Sequence, residues 1–376
     1  MASLAVAYRR MINRQPATLS SWAIFSLCSP LAMLFRLVVG LRTVLYRCGL
    51  LPSYRAAVPV ISVGNLTVGG TGKTPVTDVV VKRLLARGLR VAVVSRGYGG
   101  NFAGAVGVVA TGDGRVLMAA QAAGDEPCLL AQRNPALMVY VAKVRAEGVR
   151  AAERAGVQLV VLDDGFQHLT LQRDLDIVLL DSRSPFGNGQ LLPAGPLREP
   201  LGALRRAGLL VMTHAAVPPV PPPPFHGPVL HCRHRLADTL LTLAGAEQPW
   251  SVLTGRQVVA FAGIARPDDF FAALRARGVI LSATLTFKDH QDYAEEQLKR
   301  LIHSCDNEKL LITTEKDAVK LQAADLPCPC LVAPLELAFD EPNKLAEILD
   351  EVFKQHKSSY HQGTKNTKGT TLSNEK

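Results

Sequence analysis

A chain of 376 residues that is 48% hydrophobic has room for roughly two domains of about 150 residues each, with enough apolar material to bury their cores. The net charge of +10 admits nucleic acid, an anionic membrane or an anionic substrate as partner, but aromatic residues at only 6% do not advertise base stacking, and no nucleic acid is expected. The charge also lies largely outside the expected core: no Asp or Glu precedes Asp78, and a second basic excess falls in the C-terminal tail.

Residues 1–20 hold Arg9, Arg10 and Arg14, several small or hydroxyl residues, and no acid. That composition suits an organelle transit peptide; an ordinary basic N-terminus is the alternative. Residues 21–55 are strongly apolar but broken by Ser29-Pro30 and interrupted by Arg36, Arg42 and Arg47. A spanning helix wants about twenty apolar residues with few charges. The segment therefore fits better as a membrane-associated helix lying in the interface, its arginines at anionic headgroups. A core helix packed on the next domain is the alternative.

Residues 56–214 read as the first domain. Apolar and β-branched residues from Val58 to Val63 predict a buried strand, and Val76, Val79, Val80, Leu84 and Leu85 recur at helical spacing. Between them stands TVGGTGKTP, Thr67 to Pro75. Its ending Gly72-Lys73-Thr74 is that of a phosphate-binding loop, but Thr67 stands where the first glycine belongs. Backbone N–H groups from Thr67, Val68, Gly69, Gly70, Thr71 and Gly72, with the positive helix end, would make an anion cradle. Lys73 would reach the β- and γ-phosphates of ATP, and the Thr74 hydroxyl would take Mg²⁺. A glycine-rich turn is the alternative.

The strands LRVAVVS, VQLVVLDD, LDIVLLD and GLLVMT follow as continuous apolar runs between helical patterns. That implies a parallel sheet covered on both faces, with ligands at the carboxyl ends of its strands. Asp163 and Asp164 end one such run in the Walker B manner and would hold Mg²⁺ directly or through water; a helix cap is the alternative. In GDEP, Asp125 is a candidate base for a hydroxyl proton, with Glu126 as a supporting acid; an N-cap is the alternative. Arg96 in RGYGG and Arg198 in GNGQLLPAGPLREP would suit a phosphate on an acceptor, unless both face solvent from tight turns.

Residues 215–247 begin with a proline run and are expected as a stiff connection and hinge. Residues 248–355 read as a smaller second α/β domain. Within it His290, beside Asp289, gains interest only if this unit folds over the first. Residues 356–376 are polar and expected to be disordered. The seven cysteines have no framework spacing, and Cys328-Pro329-Cys330 is not a redox pair. His231, Cys232 and His234 lack a second ligand pair at zinc spacing, so reduced structural thiols are expected. The fold expected is α/β, with a P-loop NTPase-like parallel sheet core, a smaller second α/β domain and an N-terminal membrane-associated helix.

Taken in order, SVGNLTVGGTGKTP, VVSRGYGG, GDEP, DDGFQH, RDLDIVLLD, FGNGQLLPAGPLREP, AGIARPDDFF, DHQ and TTEKDAVK resemble the tetraacyldisaccharide 4'-kinase (lipid A 4'-kinase) family. The likeness runs from roughly Ser29 to about Lys320 and is far more specific than any one motif. The family's loop also commonly carries Thr in the first position. The resemblance implies a membrane-surface kinase using ATP and Mg²⁺, with an acylated glucosamine disaccharide phosphate as partner and its 4'-hydroxyl as acceptor. It implies Lys73 and Thr74 on phosphates and metal, and Asp163 with Asp164 and Glu199 around the metal. It further implies Asp125 as the base, His290 as its partner from the second domain, and closure of the two domains before transfer. Arg96, Arg145, Gln167, His168, Asn188 and Arg198 match positions for the acceptor or its phosphates. The basic, acid-free start favours mitochondria; the cytoplasmic face of a bacterial inner membrane is the alternative. Two other readings stand beside the kinase: a membrane-tethered ATPase without a lipid acceptor, and a noncatalytic lipid-binding protein.

Overall fold

The computed structural model describes residues 8, 11–12, 19–214, 223–291, 293–304, 310–326 and 328–369. Most of the basic extension 1–20, and residues 215–222 of the proline run, lie outside the described residues. The first long element is α1 (Leu19–Arg47), which continues through Pro30. Beside that proline, Ser29 Oγ donates back to the Phe25 carbonyl one turn earlier, at 2.7 Å. Trp22 to Arg47 is long and apolar enough to cross a membrane: 26 residues at 1.5 Å each reach about 39 Å. Leu27, Leu31, Met33, Leu34, Leu37 and Leu41 are exposed. Among the described residues Phe35 packs on an apolar cluster of the body, Arg42 bonds the Gln167 carbonyl and Ala32 is buried, but most of the stretch is exposed, which is not how a core helix packs.

The large sheet has nine strands. Seven run parallel in the order β8 (Val229–Leu236), β7 (Leu209–Thr213), β6 (Leu175–Asp181), β1 (Val60–Asn65), β5 (Leu159–Asp163), β2 (Val91–Ser95) and β4 (Met138–Ala142). β15 (Leu335–Phe339) joins β8 and β3 (Val106–Thr111) joins β4, both antiparallel. After the short α3 (Ala120–Ala123), α4 (Asp125–Arg133) packs with α2 (Lys73–Leu85) on one face, through Val76, Val80, Leu84 and Leu130. α5 (Arg145–Arg154) covers the other face through Val149 and Ala152. With both faces covered, β1, β5 and β6 are buried along their whole length, which is why their sequences are mostly apolar with little alternation.

The small sheet orders β10 (Glu247–Pro249), β9 (Thr239–Thr242), β14 (Cys330–Ala333), β13 (Leu310–Thr314), β11 (Val258–Ala262) and β12 (Leu281–Thr286). The last four are parallel. α6 (Pro267–Ala276) seats Phe270, Phe271 and Leu274 on one face, and α7 (Glu295–Ser304) seats Leu301 on the other. The one-turn α8 (Glu315–Ala318) follows β13.

Two expected boundaries differ from the structure. Residues 215–247 are not only a connection: β8 and β9 both lie in them, and β8 belongs to the large sheet. After the small sheet is built, the chain returns to the large one through β15 and α9 (Pro342–Gly369). Leu345, Leu349 and Val352 of α9 then pack beside Val80 and Leu84. Histidines and arginines at the less buried positions of β8 disguised its alternation, and its partner β15 comes about a hundred residues later. The tail expected to be disordered from 356 is also helical as far as Gly369. His356 is buried, with Nδ1 at 3.0 Å from Asp174 Oδ1 and Nε2 at 3.0 Å from the Ala57 carbonyl.

Candidate active site

The segment Leu66 to Gly72 leaves the carboxyl end of β1 and turns into α2 at Lys73. Gly72, the residue before the helix, has φ 82°, and Gly69 has φ 113°, conformations that glycine adopts at no steric cost. No side chain caps α2 and no acid lies in its first turn, so its opening N–H groups are left for an anion. Thr67 does not need to be glycine, because it is held as an extended residue. It bridges Leu197, the Val68 N–H donates to the Pro196 carbonyl at 2.8 Å, and the Arg198 N–H donates to the Leu66 carbonyl at 2.8 Å. Asn65 Nδ2 braces the far side by donating to Thr71 Oγ1 at 2.9 Å. The phosphate loop and the LPAGPLREP loop are thus zipped together.

Asp163 ends β5 and is 1% exposed. Its Oδ1 accepts from Thr77 Oγ1 at 3.2 Å, while its Oδ2 has no hydrogen-bond partner. Burial, then the nearby charges of Glu126 and Asp164, push its carboxyl up to about 7. A buried acid with an orphaned oxygen beside other acids is a place short of positive charge. Asp164 follows with φ 54° and faces Arg198 Nη1 at 2.9 Å and Lys73 Nζ at 3.8 Å. Burial raises its carboxyl, but Lys73 and Arg198 outweigh that and hold it below the usual range. Among the described residues no group of three or more His, Cys, Asp or Glu is arranged to hold a metal. Asp163 and the Thr74 hydroxyl nevertheless fit Mg²⁺, which takes few protein ligands and completes its shell with phosphates and water.

Asp125 opens α4, after Gly124 at φ 90°. A Cβ on Gly124 would sit 2.5 Å from the Tyr98 carbonyl oxygen, so only glycine lets the RGYGG turn approach so closely. Asp125 Oδ2 faces His290 Nδ1 at 3.1 Å and accepts from Lys320 Nζ at 3.2 Å. Tyr98 packs edge-on against the imidazole at 5.1 Å. Burial raises the Asp125 carboxyl, but the His290 hydrogen bond and the Lys320 charge reverse this and hold it below its ordinary value. His290 does come from the second unit, so the units meet at this pair.

Between the units lies a cleft of about 960 Å³. Val68 to Thr74, Arg96, Arg145, Asp163, Asp164 and Arg198 line one side, and Arg266, His290 and Lys316 line the other. Gln167 sits just behind, donating from Nε2 to the Asn65 carbonyl at 3.0 Å and accepting from Arg198 at 3.4 Å. Burial and the charge of Arg145 push the His168 imidazole down to about 4, so it is neutral near pH 7. Three expected residues have other work. Arg145 is 1% exposed and donates to the carbonyls of Ala142 and Asp163; it lies beneath the acids as a countercharge. Glu199 is held by both ends of Arg206, at 2.8 and 3.0 Å, and does not reach the cleft. Asn188 accepts from the Gln190 N–H and donates to the Ala194 carbonyl, which shapes its own loop.

Arg133, Glu315, Lys316 and Lys320 were not singled out from the sequence, though all but Lys320 line the cleft. Glu315 and Lys316 follow the apolar run LLITT just as Asp163 and Asp164 follow VQLVVL, and that signal could have found them.

A model of the family described as tetraacyldisaccharide-1-P 4'-kinase matches residues 24–354. The tetraacyldisaccharide 4'-kinase of Syntrophotalea carbinolica is 47% identical over 358 residues, covering 95% of this chain and 100% of that protein. That of Geobacter metallireducens is 46% identical over 335 residues, covering 88% and 98%. The crystal structure of LpxK from Aquifex aeolicus in complex with ATP matches with a TM-score of 0.75 at 32% identity, over 88% of this chain and 99% of that one. On the family match over most of its length, with relatives near half identity end to end, the chain belongs to the tetraacyldisaccharide 4'-kinase family.

Proposed function

We propose that the protein is an ATP-dependent kinase that phosphorylates the 4'-hydroxyl of tetraacyldisaccharide 1-phosphate in lipid A biosynthesis. The observation that carries this reading is the meeting of a phosphate cradle and an Asp–His pair across one cleft. Transfer to a sugar hydroxyl calls for a group that accepts its proton, and Asp125 is held ionised for that by two donors.

The loop N–H groups and Lys73 would hold the β- and γ-phosphates. Asp163 and Thr74 would hold Mg²⁺, which when bound neutralises charge on the phosphates. Asp125 accepts the 4'-hydroxyl proton as the new O–P bond forms and the bond to the leaving ADP breaks. His290 orients that carboxylate. Arg96 has no ion-pair partner among the described residues and is suited to a phosphate on the acceptor; Arg198 lines the same cleft, with Gln167 bonded to it and the neutral His168 nearby. Arg145 acts from beneath, by countering the acids. The Asp125–His290 contact exists only with the two units together, so closure of the cleft is part of the reaction.

The exposed apolar face of α1 supports membrane association. The relatives named above are bacterial, which supports the cytoplasmic face of a bacterial inner membrane; the mitochondrial expectation finds no support among them. The test is kinase activity in detergent micelles with ATP, Mg²⁺ and tetraacyldisaccharide 1-phosphate, comparing wild type with Lys73→Ala. Labelled phosphate on the lipid with wild type alone is the expected result. Folded, ATP-binding wild type that labels no lipid would overturn the reading in favour of acceptor-independent hydrolysis.

A further inference from the structure

The segment from Glu315 to Lys320 places two ammonium groups around the Asp125–His290 pair. Lys320 is 1% exposed along its side chain. Its Nζ lies 3.2 Å from Asp125 Oδ2 and 3.9 Å from Asp317 Oδ1, and donates to the Gln291 carbonyl at 2.9 Å. Lys316 Nζ lies 3.1 Å from His290 Nε2 and 2.8 Å from Asp289 Oδ1. An ammonium can only donate. With Lys316 donating to Nε2, the imidazole carries its proton on Nδ1 and gives it to Asp125 Oδ2. Both bonds to Asp125 therefore arrive on one oxygen, and Oδ1 takes no hydrogen bond from the described residues.

We propose that Lys320 and Lys316 are positioning residues for phosphoryl transfer. Lys320 holds Asp125 ionised, with Oδ1 kept for the acceptor hydroxyl. Lys316 holds His290 as the neutral Nδ1–H tautomer, so that the ring orients the base and does not compete for the proton. The inference rests on the kinase reading above. In the step itself the hydroxyl proton passes to Asp125 Oδ1 while the acceptor O–P bond forms and the P–O bond to ADP breaks; neither lysine gains or loses a bond. The other titratable groups around Asp125 are Glu126 and Cys128 on its own helix, and Asp289, Tyr293 and Asp317 from the second unit. Of these, Asp317 is itself bonded by Tyr293, Thr314 and the Gly263 N–H. Lys320 is thus the one cation in direct contact with the Asp125 carboxylate among the described residues. Without it burial governs, and the carboxyl rises.

The test compares Lys320→Met, Lys320→Arg and Lys316→Met in the full chain, in the micelle assay, from about pH 4 to about pH 8. Lys320→Met is expected to move the acid limb of kcat up by roughly one unit, so that kcat falls severalfold below wild type at the acid end and changes little near pH 7. Lys320→Arg should keep the wild-type limb, and KM for ATP should stay within about twofold in both. Lys316→Met should lower kcat severalfold at unchanged KM, with Lys316→Arg restoring most of it. A folded, ATP-binding Lys320→Met protein that loses activity by one factor at every pH, or not at all, would overturn the proposal. So would a Lys316→Met protein whose KM rises at unchanged kcat, since that lysine would then grip substrate. If Lys320→Met does not fold, the Lys316 pair decides. Wild type in the same assay separates the two levels: inactive wild type removes the kinase reading and this inference with it, whereas active wild type with indifferent lysine variants removes the inference alone.

Discussion

Replacing Arg133 with Met tests what locks the two units together. Arg133 ends α4 in the first unit. Its Nε donates to Glu315 Oε1 at 2.7 Å and its Nη2 makes a still closer contact with Oε2. Nη1 donates to Asp78 Oδ2 at 2.8 Å, and Nη2 to the Leu335 carbonyl at 2.8 Å. Methionine keeps the stem of the side chain and removes every donor. Asp78 would keep Lys82 at 3.0 Å and Asn134 at 2.7 Å, so its charge stays compensated. Among the described residues the Glu315 carboxylate would keep only the Leu335 N–H, at 3.0 Å. The cost therefore falls on one mostly buried carboxylate left without a cation, about 3 kcal/mol. At roughly 2–4 °C per kcal/mol that lowers Tm by roughly 6–12 °C. Glu315→Gln removes the stranded charge and keeps an acceptor for Leu335. The double variant should then recover at least about 1.5 kcal/mol relative to the sum of the singles. Thermal unfolding of the four proteins measures this. Additivity within about 0.5 kcal/mol, or an Arg133→Met protein as stable as wild type, would refute the reasoning. Kinase activity of the same four proteins reads the consequence, because Glu315 directly precedes Lys316.

Two further outcomes follow from the other side of the cleft. Asp163→Asn should abolish phosphorylation yet raise the melting temperature of the metal-free protein at pH 8. The Asp163 carboxyl is pushed up to about 7, so the fold favours its protonated form and loses stability as pH rises from the ordinary carboxylate range through 7. Asparagine removes that cost; melts at pH 8 and pH 5 should show the larger gain at pH 8, and equal gains at both would contradict it. Gly64→Ala should cost about 2–3 kcal/mol and weaken ATP binding, because the new Cβ would lie 2.6 Å from Phe166 Cβ and 2.9 Å from its backbone nitrogen. Unfolding and ATP titration together check this, and stability close to wild type would show that the Asp163–Phe166 turn yields freely.

What was legible in the sequence is what one short segment carries by itself. The phosphate loop, the acids closing β5 and the GDEP turn each combine a strand or helix end with the chemistry placed there. Their place at the carboxyl end of a parallel sheet follows from the sheet's construction. What was not legible depends on partners far away along the chain. Arg133 and Glu315 are 182 residues apart, and Lys320 and Asp125 are 195. Nothing local in AQR or DAVK announces either pairing. Proximity in sequence misled in the opposite direction: Glu199 adjoins Arg198, yet the backbone turns it away to meet Arg206, seven residues on. Arg145 kept its charge but faces carbonyls beneath the acids. Thr67 looked like a defect of the loop, and only its bridge to Leu197 supplies the reason that glycine is dispensable there.

Gln167 shows how the apolar helix α1 bears on the chemistry. Its backbone carbonyl accepts from Arg42 Nη2 of α1 at 2.8 Å. Its side chain donates to the Asn65 carbonyl at the end of β1, and Asn65 in turn braces Thr71 in the phosphate loop. Its Oε1 accepts from Arg198, which holds Asp164, and Asp164 faces Lys73. One residue therefore touches the apolar helix directly and reaches the phosphate cradle through Asn65 and the acidic turn through Arg198. Arg42 sits among leucines and valines on the exposed stretch of α1, so its guanidinium has either a headgroup or this carbonyl to satisfy it. The Arg42 donor thus ties the position of α1 to the residues that shape the nucleotide cleft, and for that physical reason the two are not independent.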